Sequence, residues 1–147
     1  MSTRYFALVV GLVYTILAVI AFLPGVVQSP PLTAPELVVE TGYGYLLGIF
    51  PVNVIHTIVH LLLGLWGLAA FRSFAGSRSY ARTLTAIFGL LAIMGIFPVL
   101  RTTFGLIPLW GNDVWLHGGT AAVAAYFGWA ATRPAEEEGP ETARSRA

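Results

Sequence analysis

Hydrophobic residues fall in four long runs separated by short polar stretches. The runs cover residues 5–27, 43–71, 84–100 and 113–132, and none contains Arg, Lys or Glu. A helix needs about 20 apolar residues to cross a hydrocarbon core of about 30 Å, and each run is close to that length or beyond it. The period-2 alternation of a barrel strand is absent, so helices are the expected spanning form. The pattern predicts an all-α fold, a bundle of four transmembrane helices within residues 1–132. Residues 28–42, with Pro30, Pro31 and Pro35, form an extracytoplasmic loop, and the Glu- and Arg-rich stretch 133–147 reads as a disordered cytoplasmic tail. Arg4 precedes the first run, but the run is longer than the 7–15 apolar residues of a signal peptide and lacks a clear A-x-A site. It is read as a retained helix.

Composition points to the same solvent. Of 147 residues, 56% are hydrophobic and 10% charged, whereas soluble domains carry about 25% charged residues. The absence of cysteine excludes disulfides, thiolate ligands and cysteine nucleophiles. No basic patch interleaved with aromatics and no Gly-rich phosphate loop is present, so nucleic acid is not an expected partner. The lipid bilayer is, with a membrane protein or a second copy of the chain as further candidates.

Charge sets the orientation. All eight cationic residues are Arg. Arg4 precedes the first run, Arg72, Arg78 and Arg82 crowd the link between the second and third, and Arg133, Arg144 and Arg146 follow the fourth. Arg101 alone falls on the other side. The positive-inside rule then places both termini in the cytoplasm. Trp110, Trp115, Tyr43 and Tyr45 form an outer aromatic belt, and Phe71, Phe74, Tyr80 and Trp129 sit near the inner face.

The second and fourth runs share an internal repeat. Gly48-Ile-Phe-Pro51 aligns with Gly105-Leu-Ile-Pro108, and the same offset pairs His56 with Asp113 and His60 with His117. The first and third runs correspond loosely through Gly11 and Gly89 and through Pro24 and Pro98. The expectation is a duplicated helical hairpin, a parallel repeat about an axis along the membrane normal. Pro51 and Pro108 suit first helical turns, with Asn112 as an alternative N-cap for helix four.

The repeat carries the chemistry. His56 and His60 lie one turn apart on one helical face, Asp113 and His117 repeat that geometry, and Asn53 continues the first stripe. Small residues follow on the same faces: Gly64 and Gly67 after His60, and Thr120 or Ala121, Ala124 and Gly128 after His117. Both stripes therefore point to the bundle interior. Ionisable groups in a membrane need a compensating role. One reading is a transition-metal site for Zn, Fe, Mn or Cu, with His56, His60, Asp113 and His117 as ligands and Asn53 as their hydrogen-bonding support. A second is haem, with His60 and His117 as axial ligands. A third makes the histidines interhelical glue in a structural or assembly subunit. No nucleophile elbow is present, and Thr57 follows His56 where a zinc metalloprotease would have Glu. The balance is against a catalytic role, with a redox enzyme as the remaining alternative.

The stretch G-I-F-P-V-N-V-I-H-T-I-V-H-L-L-L-G, followed by F-G-L-I-P-L-W-G-N-D-V-W-L-H, resembles the bacterial domain-of-unknown-function 4383 family, across most of residues 4–132. The resemblance implies a small four-helix protein of the bacterial cytoplasmic (inner) membrane. It implies no activity.

Overall fold

The computed structural model describes residues 2–132; the stretch expected to form the tail, 133–147, lies outside them. The described residues form four α-helices: α1 (Thr3–Ala21), α2 (Val54–Ala70), α3 (Phe74–Ile96) and α4 (Asn112–Ala125). A π-helical turn at Tyr126–Ala130 extends α4. On α1 the buried positions are Thr3, Phe6, Ala7, Gly11, Tyr14 and Ala18, the three-and-four spacing of one helical face. On α3 the buried face includes Ser77, Tyr80, Ala81, Leu84, Phe88 and Ala92. The opposite face of α1 is not polar: Val9, Leu12, Val13, Ile16 and Val19 are exposed. α1 and α3 are each long and apolar enough to cross a membrane. α1 packs chiefly on α2, and α3 on α4.

Glycine makes the first of these pairings close. A Cβ on Gly11 would stand 2.8 Å from the Leu68 amide nitrogen and 2.9 Å from the Gly64 carbonyl oxygen, so α1 and α2 meet backbone to backbone.

The fold is not purely helical. β1 (Val27–Gln28), β2 (Gly44–Leu46) and β3 (Phe50–Val52) form an antiparallel sheet in the order β1-β2-β3. Its hairpin turns at Leu47 and Gly48, whose φ values are 54° and 72°, the left-handed pair that a tight hairpin uses. Pro51 pairs with Tyr45 on edge strand β3, where its missing N–H breaks no ladder. It is therefore not in a first helical turn, and Pro108 likewise lies ahead of α4. Short apolar strands beside an apolar helix merge into one hydropathy run, so the run from residue 43 holds β2 and β3 as well as α2, which starts at Val54.

Asn53 sets the true start of α2. Its side chain accepts from the His56 N–H at 3.0 Å, an N-cap bond. Helix four begins at Asn112, after Gly111 in a left-handed conformation with φ 66°. α3 begins at Phe74, well before residue 84, with the Ser73 Oγ accepting from the Gly76 N–H at 3.0 Å. Arg78 and Arg82 thus lie on the helix and not in a link. Hydropathy marks where a helix turns apolar, whereas Arg, Ala and Ser sustain helix before that point. α1 ends at Ala21 ahead of Pro24, which cannot continue the helical hydrogen bonding.

The four helices close at one end through side chains that satisfy last-turn carbonyls. The Thr3 hydroxyl donates to the Phe127 carbonyl at 3.4 Å, and the Ser77 hydroxyl donates to the Ala70 carbonyl at 2.9 Å. Arg4 Nε donates to the Phe71 carbonyl, and Arg78 and Arg82 Nε both donate to that of Gly128, each at 2.9 Å. Phe74 and Tyr80 are buried at this end. Phe71 and Trp129 instead carry the Arg4 and Arg82 guanidiniums, 5.1 and 5.3 Å from their ring centroids.

Candidate metal centre

Four ionisable groups meet at the opposite end of α2 and α4. His56 and His60 project from the first two turns of α2, and Asp113 and His117 from those of α4. All four are buried, with Asp113 and His117 at 0% exposure. His56 Nε2 lies 3.1 Å from His60 Nε2, which in turn lies 3.4 Å from His117 Nε2. Asp113 stands beside both flanks, with Oδ2 3.3 Å from His117 Nδ1 and Oδ1 3.9 Å from His56 Nε2. The three imidazoles offer ligand atoms within 4.8 Å of one another.

Protons alone serve this arrangement poorly. The His60 Nε2 atom carries one proton or one lone pair, so it cannot make linear hydrogen bonds to both neighbours. The two Asp113 oxygens, His56 Nδ1 and His117 Nδ1 make no well-aligned hydrogen bond among the described residues. A buried carboxylate left in that state is costly unless a proton or a nearby positive charge neutralises it. Two donors on one tetrahedral ion, at bond lengths of about 2.0–2.1 Å, stand about 3.3–3.4 Å apart. The nitrogen separations of 3.1 and 3.4 Å bracket that edge.

The walls of the site come from the other two helices. The Tyr14 ring of α1 meets the His60 ring edge-on with centroids 4.8 Å apart, and the Phe88 ring of α3 stacks on His117, also at 4.8 Å. Tyr14 and Phe88 were not singled out from the sequence; their only signal is membership of the buried stripes of α1 and α3. The Tyr14 hydroxyl bonds Thr120 Oγ1 at 3.0 Å.

Asn53 has a different place from the one expected. Its Nδ2 donates to the Val39 carbonyl at 3.0 Å and to the Leu106 carbonyl at 2.7 Å. Together with the cap bond to His56, this clasps the loops ahead of α2 and α4 to α2. Its influence on His56 runs through the backbone.

His60 and His117 face each other as axial haem ligands would, but the spacing does not suit haem. An iron between two axial imidazoles needs about 4 Å, twice a metal–nitrogen bond of about 2.0 Å, and the observed 3.4 Å is shorter. The His56 ring, with its centroid 4.3 Å from that of His60, also fills ground the porphyrin would need.

No curated protein and no solved structure matches the chain. The model of a family described as a domain of unknown function (DUF4383) matches residues 4–130, a span that includes the whole polar cluster and, except for Thr3, all four helices, and the chain belongs to that family.

Proposed function

We propose that this chain is a multi-pass membrane protein that binds one transition-metal ion between α2 and α4. The observation that carries the reading is the convergence of three buried imidazole nitrogens, at 3.1 and 3.4 Å along the chain of contacts, beside a buried carboxylate. His56, His60 and His117 each offer Nε2 to the ion. Asp113 supplies the balancing charge: Oδ2 orients His117 through Nδ1, and Oδ1 is the nearest candidate for a fourth ligand. Zn, Fe, Mn and Cu all accept such donors. A closed set of protein donors is the mark of a resident structural ion, whereas catalytic sites keep an open position. With Asp113 Oδ1 as the fourth ligand, the ion fastens the two hairpins together. The test is metal content in the purified chain, with interhelical glue as the outcome if none is bound.

The bilayer reading rests on length and surface. Besides the long α1 and α3, α2 has 17 residues, about 26 Å at 1.5 Å per residue, and the π turn lengthens α4 to a similar reach. Contiguous apolar exposure such as that of α1 needs an apolar solvent or a partner. The Arg distribution puts both termini in the cytoplasm, and the family resemblance implies the inner membrane of a bacterium.

A duplicated hairpin is supported by contacts that recur in matching pairs. Thr3 with Ser77, Arg4 with Arg78, Tyr14 with Phe88 and Pro24 with Pro98 keep one constant offset along the chain, and Ala70 with Phe127, Phe71 with Gly128 and His60 with His117 keep another. The Thr3 and Ser77 bonds, and the Arg4 and Arg78 bonds, transform into each other under this pairing. Tyr14 meets Phe88 at 5.2 Å, as expected of residues on a two-fold axis. This register matches Gly11 with Thr85, so the correspondence of Gly11 with Gly89 is out of step.

A further inference from the structure

At the far end of α3 from the metal centre, the chain holds positive charge that the described fold does not balance. Arg78 and Arg82 are one turn apart near the start of α3, whose first turn contains no acidic residue. Cations there oppose the helix dipole, whose positive end is the N-terminus. Each Nε is used on the Gly128 carbonyl, and Arg78 makes one further long bond to the Trp129 carbonyl at 3.5 Å. The remaining guanidinium N–H groups form no ion pair with a carboxylate among the described residues. Arg78, Arg82, Ser79 and Phe74 line a cavity of about 330 Å³.

The other hairpin shows that capping alone does not require this arrangement. Arg4, the counterpart of Arg78, caps the Phe71 carbonyl unaided by a second arginine from its own helix. In the register of the matched contacts, Arg82 corresponds to Leu8 and Ser79 to Tyr5. Arg82 and Ser79 are thus additions confined to the α3 half, and both face the cavity. The apolar part of α3 starts at Leu84, immediately beyond, so the cavity sits where the span meets water.

We infer that this cavity binds a phosphate group. The two guanidiniums supply planar, charge-assisted donors, the Ser79 hydroxyl adds a third donor, and Phe74 forms the apolar wall. The group comes from an anionic phospholipid headgroup or from free phosphate. The lipid source rests on the membrane reading, but the phosphate chemistry does not.

The experiment is a thermal-unfolding titration of the full chain in non-ionic detergent with phosphatidylglycerol, phosphatidylcholine or inorganic phosphate. Phosphatidylglycerol raises the midpoint in a saturable way, while phosphatidylcholine gives a smaller response. If inorganic phosphate reproduces the shift at the same concentration, the site stands and its ligand is the soluble ion. Arg82→Gln weakens the apparent affinity about tenfold, in line with loss of a charged hydrogen bond. Ser79→Ala, an exposed position without a capping role, weakens it by a smaller factor. Arg101→Gln, in the loop at the other end, leaves it unchanged. An unchanged response to phosphatidylglycerol in both Arg82→Gln and Ser79→Ala, or equal responses to the two lipids, overturns the inference.

Discussion

His60 and His117 are 57 residues apart in the chain, yet their Nε2 atoms lie 3.4 Å apart at the contact between α2 and α4. Each is backed by an aromatic ring from its own hairpin, His60 by Tyr14 and His117 by Phe88. The position of each imidazole thus depends on how closely its two helices pack, and the metal reading inherits that dependence.

Gly11 tests the packing. Gly11→Ala places a methyl against α2 backbone at under 3 Å and lowers stability by about 1–3 kcal/mol, the usual penalty of overpacking. Because α2 carries His56 and His60, metal retention falls with it. Gly89→Ala is the control: its added Cβ meets only the Ala121 Cβ at 4.0 Å, and the better helix propensity of Ala stabilises by about 0.5–1 kcal/mol. Thermal or denaturant unfolding in detergent measures both. Equal losses in the two variants would remove the special role given to the Gly11 contact.

Asn53 is a second test, because its two functions can be separated. Asn53→Asp keeps the acceptor that caps α2 but loses both donors to the Val39 and Leu106 carbonyls. Asn53→Ala loses cap and clasp together, a cost of about 1 kcal/mol for the cap alone. Unfolding midpoints should rank wild type above Asp and Asp above Ala. A midpoint for Asp equal to that of wild type would show that the clasp carries nothing.

The sequence made the polar cluster legible, since the spacing of His56, His60, Asp113 and His117 needs only helical geometry to bring two ionisable groups to one face of each helix. It also made the number of helices legible, through four apolar runs. The sheet was hidden because Gly44–Leu46 and Phe50–Val52 are as apolar as the helix they precede, so hydropathy shows one run where two kinds of element exist. The start of α3 was hidden for the opposite reason: Arg78 and Arg82 break the apolar pattern without breaking the helix. Asn53 looked like part of the site because it continues the His stripe, and only the loop carbonyls of Val39 and Leu106, distant in sequence, reveal its clasp.

Topology is tested by cysteine labelling, which the cysteine-free chain allows directly. Thr33→Cys, in the exposed loop before β2, reacts with a membrane-impermeant thiol reagent in intact cells. Ala75→Cys, exposed at the start of α3, reacts only after permeabilisation. The reverse pattern would invert the orientation drawn from arginine.

Asp113 separates a metal centre from a packing cluster. Asp113→Asn preserves shape and removes the balancing charge, so affinity for added Zn falls about 10–100-fold, as when a supporting carboxylate is lost from a metal site. If the histidines are only interhelical glue, removing a buried charge leaves stability unchanged or raised and no metal response exists to be lost. Competition with a calibrated Zn chelator reads the difference.

The most direct measurement is elemental analysis of the full-length chain, purified in mild detergent without chelator or His tag, beside His60→Ala and His117→Ala. The account predicts about one transition-metal ion per wild-type chain, the stoichiometry of a single four-donor site, and loss of most of it in each variant. Wild-type protein that holds no metal, even after incubation with Zn, Fe, Mn and Cu, would contradict it, as would metal retained in full by both variants.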